Sequence, residues 1–404
     1  MGGGKHTRLV AAPGSPARGL AELVAWLWRL GPVGEDPAPD AVAFGGPDRA
    51  DELRARVREG RLAGAVIVDP SLTQWKREER VLLAPADPSR WGDLSVAWLL
   101  LALADFLPDV LGRPLVALPP VGCLRLDDSP GTAELQLRGL AKPDARELKR
   151  IRIMVRALER SGSVLVAAVA ARALRDDRIV PIEEVWPRSF ALIADSVERG
   201  LMEPACHGLL HLDPHEHAAG RIAPKEFLRL TKEEAGARLD EALAWMRGTL
   251  GPARSFIAPA WGYSDGALAA AAERALVTWM PPHLGPLLDG HLLRETLHDG
   301  VPGLQGLDYA PLERLAALGV PPTVVFHGRL LDDRLPRLRE ARDVLSLARL
   351  SRRRDLERIA ALRGVKWVGA EELANRLRAH AAIEVEGDRV DAPEGTEFVL
   401  LRGS

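Results

Sequence analysis

The chain has 404 residues, 47% of them hydrophobic and 27% charged, so it can bury a sizeable core and suits one large domain with a smaller companion. Its net charge of -2 offers no general attraction for nucleic acid or an anionic membrane, which sets a nucleic-acid role aside. Two cysteines, Cys123 and Cys206, are too few for a disulfide framework and fit a reducing compartment.

In chain order, residues 1–16 are rich in Gly and polar residues and lack the apolar core of a secretory signal, so the expected location is cytoplasmic. Apolar runs at 9–12, 41–44, 63–68 and 81–84 alternate with helix-like stretches at 17–30 and 48–58, the pattern of a small α/β domain. The longest apolar run, 96–104, stops at Asp105 and meets Pro108. That is well short of the ~20 residues a bilayer needs, so no membrane span is expected. Pro119 and Pro120 cannot continue a helix or a central strand and mark a boundary there. Residues 1–118 are therefore expected to form an N-terminal α/β domain, to which no motif assigns a role.

Beyond the boundary a strand is expected at 122–126, followed by the turn formers Ser129, Pro130 and Gly131. A helix at 143–161 has Pro143 at its start and Gly162 just past its end. A buried strand at 164–170, a helix at 187–199 closed by Gly200, and a short strand into Cys206 come next. Thr231 and Glu234 make a capping-box pattern before a helix that ends near Leu250. Strands at 255–258, 275–279, 323–326 and 365–368, with helices at 311–318 and 370–380, extend the series. Repeated strand and helix units suggest a parallel (β/α) barrel over 119–380, and the alternation in 381–404 suggests an appended hairpin. The basic run Arg352, Arg353 and Arg354 reads as a solvated helix face.

Residues with chemistry cluster at strand ends. Asp127 and Asp128 follow the 122–126 strand; alone, such a pair is more often a turn former than a catalytic group. His207 and His211 have metal-ligand spacing and directly follow the strand into Cys206, whereas Pro214 separates His215 and His217 from it. Pro259, Trp261 and Tyr263 follow another strand, where aromatics serve packing more often than binding. His327 emerges from the apolar run before Gly328. In parallel barrels active sites are built at the C-terminal ends of the strands, and Asp127, Asp128, His207, Pro259 and His327 each lie just past an expected strand.

An Asp-Asp pair, a His-x-x-x-His pair, a Pro-aromatic segment and a late His, in this order, resemble the polysaccharide deacetylase family over about residues 121–377, as a divergent branch. The resemblance implies a distorted (β/α) barrel of about seven units. It implies a divalent metal, zinc first, held by Asp128, His207 and His211, with Asp127 as general base and His327 as general acid. It also implies hydrolysis of N-acetyl groups on an amino sugar or glycan, with Arg125, Pro259, Trp261 and Tyr263 meeting the substrate. Two elements depart from the pattern. The arginine that the family places in the Pro-aromatic segment to orient the base is absent, since Ala258 precedes Pro259 and the nearest arginine is Arg254; and Trp279 has no aspartate beside it to make the family's Asp-Trp element. Hydrolysis of another amide or ester, and a saccharide-binding protein without activity, are the alternatives. Cys123 and Cys206 are expected as buried thiols close together beneath the site.

Overall fold

The computed structural model describes residues 9–72, 75–85, 94–130, 144–175, 178–221, 223–281, 286–295, 310–327, 359–362, 364–386 and 389–402. The turn residue Gly131, Gly328 and the basic run at Arg352 to Arg354 lie outside them, as does the side chain of His327.

The N-terminal unit is a five-stranded sheet. Strands β1 (Leu9–Ala11), β2 (Val42–Gly45), β3 (Gly64–Val68) and β5 (Val81–Ala84) run parallel, and their residues are all buried, as expected for a parallel sheet covered on both faces. β4 (Lys76–Glu78) pairs antiparallel with β5 at the edge, where its charged residues discourage further pairing. Helices α1 (Pro16–Leu27), α2 (Ala50–Arg58) and α3 (Leu94–Leu111) complete the unit. α3 carries the longest apolar run of the sequence. Among the described residues no helix is long and apolar enough to cross a membrane.

After β6 (Leu115–Ala117) the main sheet begins with β7 (Val121–Ser129). Then follow α4 (Asp144–Ser161), β8 (Leu165–Val169), a hairpin of β9 (Arg172–Arg175) and β10 (Arg178–Pro181), α5 (Pro187–Glu198) and β11 (Met202–Cys206). Next come α6 (Lys232–Thr249), β12 (Ser255–Phe256), α7 (Asp265–Glu273), β13 (Val277–Met280), β14 (Leu288–Asp289) and β15 (Leu292–Arg294). α8 (Ala310–Ala317), β16 (Thr323–His327), β17 (Lys366–Trp367) and α9 (Ala370–Ala381) finish the series. The capping box of α6 forms with both of its hydrogen bonds.

The strand order β14-β15-β13-β12-β11-β8-β7-β16 explains the shape. All neighbours except β14 and β15 are parallel, and β7, first in sequence, lies between β8 and the late strand β16. A sheet whose last strand returns to its first curls into a barrel. This is the expected distorted (β/α) barrel, open between its edge strands β14 and β16 among the described residues. The parallel arrangement gathers all C-terminal strand ends at one rim.

One hydrophobic core runs from Leu9 and Leu20 of the N-terminal unit through Leu124 to Leu377 of α9. Polar contacts among the described residues pin the units together. Trp28 Nε1 donates to the Leu318 carbonyl at 2.8 Å, Arg29 Nε to that of Ile383 at 3.0 Å, and His380 Nε2 meets the Leu27 carbonyl at 2.9 Å. In the tail, β18 (Glu384–Glu386) and β19 (Arg389–Asp391) form a hairpin, while β20 (Val399–Leu401) pairs antiparallel with β6, the segment just before Pro119 and Pro120.

The register corrects the expectation that the cysteines are neighbours. Cys123 precedes Leu124, which aligns with Leu165 and so with Met202, whereas Cys206 aligns with Val169 at the far end of the sheet. Strand geometry separates them by roughly 16 Å along the strands and roughly 10 Å across them. Both thiols are buried, and burial pushes that of Cys206 up to about 12 and that of Cys123 well above its ordinary value.

Candidate active site

At the rim, the pairing of β7 with β8 is regular to Leu126, slips, and resumes at Ser129. The bulge lies at Asp127 and Asp128, and Asp128 takes a left-handed backbone with φ 57°. A bulge re-aims consecutive side chains, so two adjacent aspartates face different partners. Asp127 keeps the inward direction of Arg125, two residues earlier on the pleat.

Asp128 meets the histidines. Its Oδ1 lies 3.1 Å from His207 Nε2 and 2.9 Å from His211 Nε2, and the imidazole rings stand edge to face with centroids 5.0 Å apart. One ligand atom from each of the three residues falls within 4.8 Å of the others. His207 Nδ1 lies 2.9 Å from the Ile257 carbonyl, which can only accept; this nitrogen therefore carries a proton, and Nε2 is the ring atom that faces Asp128. Two imidazole nitrogens and one carboxylate oxygen are a donor set suited to zinc and to several other divalent ions. At His211, burial works against the charged form, but the adjacent Asp128 carboxylate outweighs it and raises the imidazole above its ordinary value.

Asp127 is held by Arg125. Nε donates to Oδ1 at 2.7 Å and Nη2 to Oδ2 at 2.8 Å, a two-pronged contact that leaves the carboxylate one orientation. The Arg125 side chain is 0% exposed and also forms an ion pair with the equally buried Glu295. Its guanidinium lies over the rings of Trp261 and Trp279, 5.0 Å from each centroid. Burial alone would lower its pKa, but the Asp127 and Glu295 charges raise it further.

The residues expected to meet substrate are thus placed variously. Arg125 is sealed in and touches Asp127 instead of the surface of the site. Trp261 stays partly exposed beside it, at φ 56°. The Tyr263 hydroxyl accepts from Ala258 N at 3.1 Å and donates to the Trp279 carbonyl, which ties it into the wall, and Pro259 is buried. The backbone of His327 lies directly across from Asp127. His215 and His217 stand apart, on the short helix Pro214–Ala218.

The arginine that holds Asp127 is therefore on its own strand, while Arg254 is exposed near Glu371. Two carboxylates escaped the reading of the sequence. Glu295 lies in a segment without a strong strand pattern, and Glu226 lies in a loop; a buried acid in either place looks in sequence like a solvated one. Only the i, i+2 spacing of Arg125 and Asp127 on a strand was available as a signal.

No family model matches the chain, and no curated protein matches it. Solved structures similar to it include one designated a polysaccharide deacetylase from Mycobacterium smegmatis, at 15% identity and TM-score 0.42, covering 68% of this chain and 94% of that one. A family 4 carbohydrate esterase from Streptomyces lividans, in complex with acetate, has 12% identity and TM-score 0.32, covering 63% and 94%. A pseudoenzyme of the same esterase family from Bacillus anthracis has 10% identity and TM-score 0.34, covering 63% and 66%. The chain is remotely similar to polysaccharide deacetylases and family 4 carbohydrate esterases, with and without activity.

Proposed function

We propose that the chain is a metal-dependent hydrolase that removes N-acetyl groups from an amino sugar or glycan. The observation that carries this reading is the convergence of Asp128, His207 and His211 at the strand-end rim, beside a second aspartate fixed in place by a buried arginine. Asp128, His207 and His211 would hold a divalent ion, zinc being the first candidate. Such an ion supplies a nucleophilic water at neutral pH and polarises the acyl oxygen.

The protein's own groups divide the remaining work. Asp127, with its carboxylate oriented by Arg125, takes the proton of the attacking water. The backbone position of His327, opposite Asp127, suits a general acid that returns a proton to the departing amine. Trp261, the partly exposed aromatic of the rim, offers a face on which a sugar ring can rest.

The test needs no knowledge of the substrate. Elemental mass spectrometry of the purified protein is expected to find one equivalent of divalent metal, lost in a His207→Ala, His211→Ala double variant. Acetylated amino sugars and simple esters then distinguish the substrate class by acetate release. A wild-type protein that takes up neither zinc, cobalt nor manganese would sink the hydrolase reading.

A further inference from the structure

Glu226 has no place in the reaction, yet its side chain is 0% exposed in a loop, where acids normally face water. Its Oε2 accepts from the backbone amides of Leu210 at 3.1 Å and His211 at 2.8 Å. Oε1 accepts from Leu209 N at 3.2 Å and from Arg238 Nη1 at 2.7 Å. Successive amides pointing into one concavity make an anion-binding nest, and here the anion is part of the chain.

The nest is the loop that carries both histidines. Its carbonyls are held from the other side, where Ala171 N donates to Gly208 O at 3.3 Å and Arg172 N to Leu209 O at 2.7 Å. Gly208 has φ 87°, and a Cβ there would run into the Glu226 carboxylate. His211 itself takes φ 58°, a left-handed conformation that costs a non-glycine residue about 1 kcal/mol. Glu226 bonds the amide of that strained residue. The neighbouring Phe227 anchors the acid, packing edge to face on Phe256 with centroids 5.0 Å apart.

We propose that Glu226 is the positioning residue of the metal site: it sets the curvature of the 208–211 loop, holds His211 in its strained conformation and so preorganises both imidazoles. The inference rests on the proposed metal site. Groups that orient metal ligands typically change affinity by 10–100-fold when altered. Glu226→Gln keeps the shape but turns an N–H₂ group toward a donor. Gly208→Ala leaves Glu226 intact and pushes the loop off it.

The measurement is the affinity of the purified apoprotein for cobalt and zinc, by competition with a chelator, with the cobalt absorption spectrum reporting ligand geometry. Unfolding of the metal-free proteins is followed alongside. Both variants are expected to bind about 10–100-fold more weakly and to show an altered cobalt spectrum. A merely structural Glu226 would lower apoprotein stability and leave the affinity of the folded protein unchanged, which would overturn the proposal. Should neither variant fold, Arg238→Gln removes only one of the four bonds, and unchanged affinity there refutes it equally. Wild-type protein that binds no metal brings down the hydrolase reading, and this proposal with it; normal wild-type binding with unaffected variants removes this proposal alone.

Discussion

Arg125 is the residue whose surroundings say most about the site. A guanidinium without solvent exposure, between two carboxylates and two indole rings, is stable only while both charges remain. Arg125→Met would remove the guanidinium that lies between the buried carboxylates of Asp127 and Glu295, and a loss of about 3–5 kcal/mol is expected in equilibrium unfolding. Asp127 would also lose its fixed orientation. If Asp127 is the base proposed above, turnover should fall on the order of 100-fold with metal content unchanged, because small misplacements of a reacting group cost about that much. Arg125→Lys restores a charge without the planar fork, so stability should recover in part and turnover should not. A variant that keeps wild-type turnover would deny Arg125 any positioning role.

Among the elements, α9 depends on a residue of β11. Glu203 Oε1 accepts from Ala370 N at 3.0 Å at the start of the helix, and a Cβ on Gly369 would collide with the same carboxyl. Burial pushes Glu203 up to about 7, against the pull of two amide bonds. The folded protein therefore holds this proton to about pH 7, while the unfolded chain releases it near 4.5. The contribution is complete below pH 4.5 and is lost as the pH rises to about 7. Glu203→Gln, which keeps an acceptor and does not titrate, should gain stability relative to wild type as the pH rises through that window. Urea unfolding at a series of pH values checks this, and a constant difference would refute it.

At the scale of the molecule, the joint between the N-terminal unit and the barrel passes through His380. Its ring lies edge to face with Trp26, and it is buried against the Leu27 carbonyl. Burial lowers His380 to about 4, so the unfolded chain, titrating near 6.5, takes up its proton first as the pH falls. The joint keeps its full contribution above pH 6.5 and loses it toward pH 4. Wild type should thus weaken relative to His380→Gln in acid, the opposite trend to that of Glu203, and the same urea series separates the two. A difference that does not change with pH would mean that His380 is not buried neutral.

Much of this molecule is legible in sequence because its signals are local. Parallel strands buried on both faces are continuous apolar runs, helices carry their caps, and strand-end placement drew attention to Asp127, Asp128, His207 and His211. What no local pattern carries is the partner of a buried charge. The pairing of Arg125 with Glu295, of Glu226 with the amides beside His211, and of His380 with the N-terminal unit joins segments that meet only in the tertiary structure. The level of Cys206 relative to Cys123 was likewise decided by register, which depends on all the strands between them. Composition and periodicity determined which elements form and where their polar ends lie; tertiary packing decided which of those ends face one another, because that choice rests on the shared burial of distant side chains.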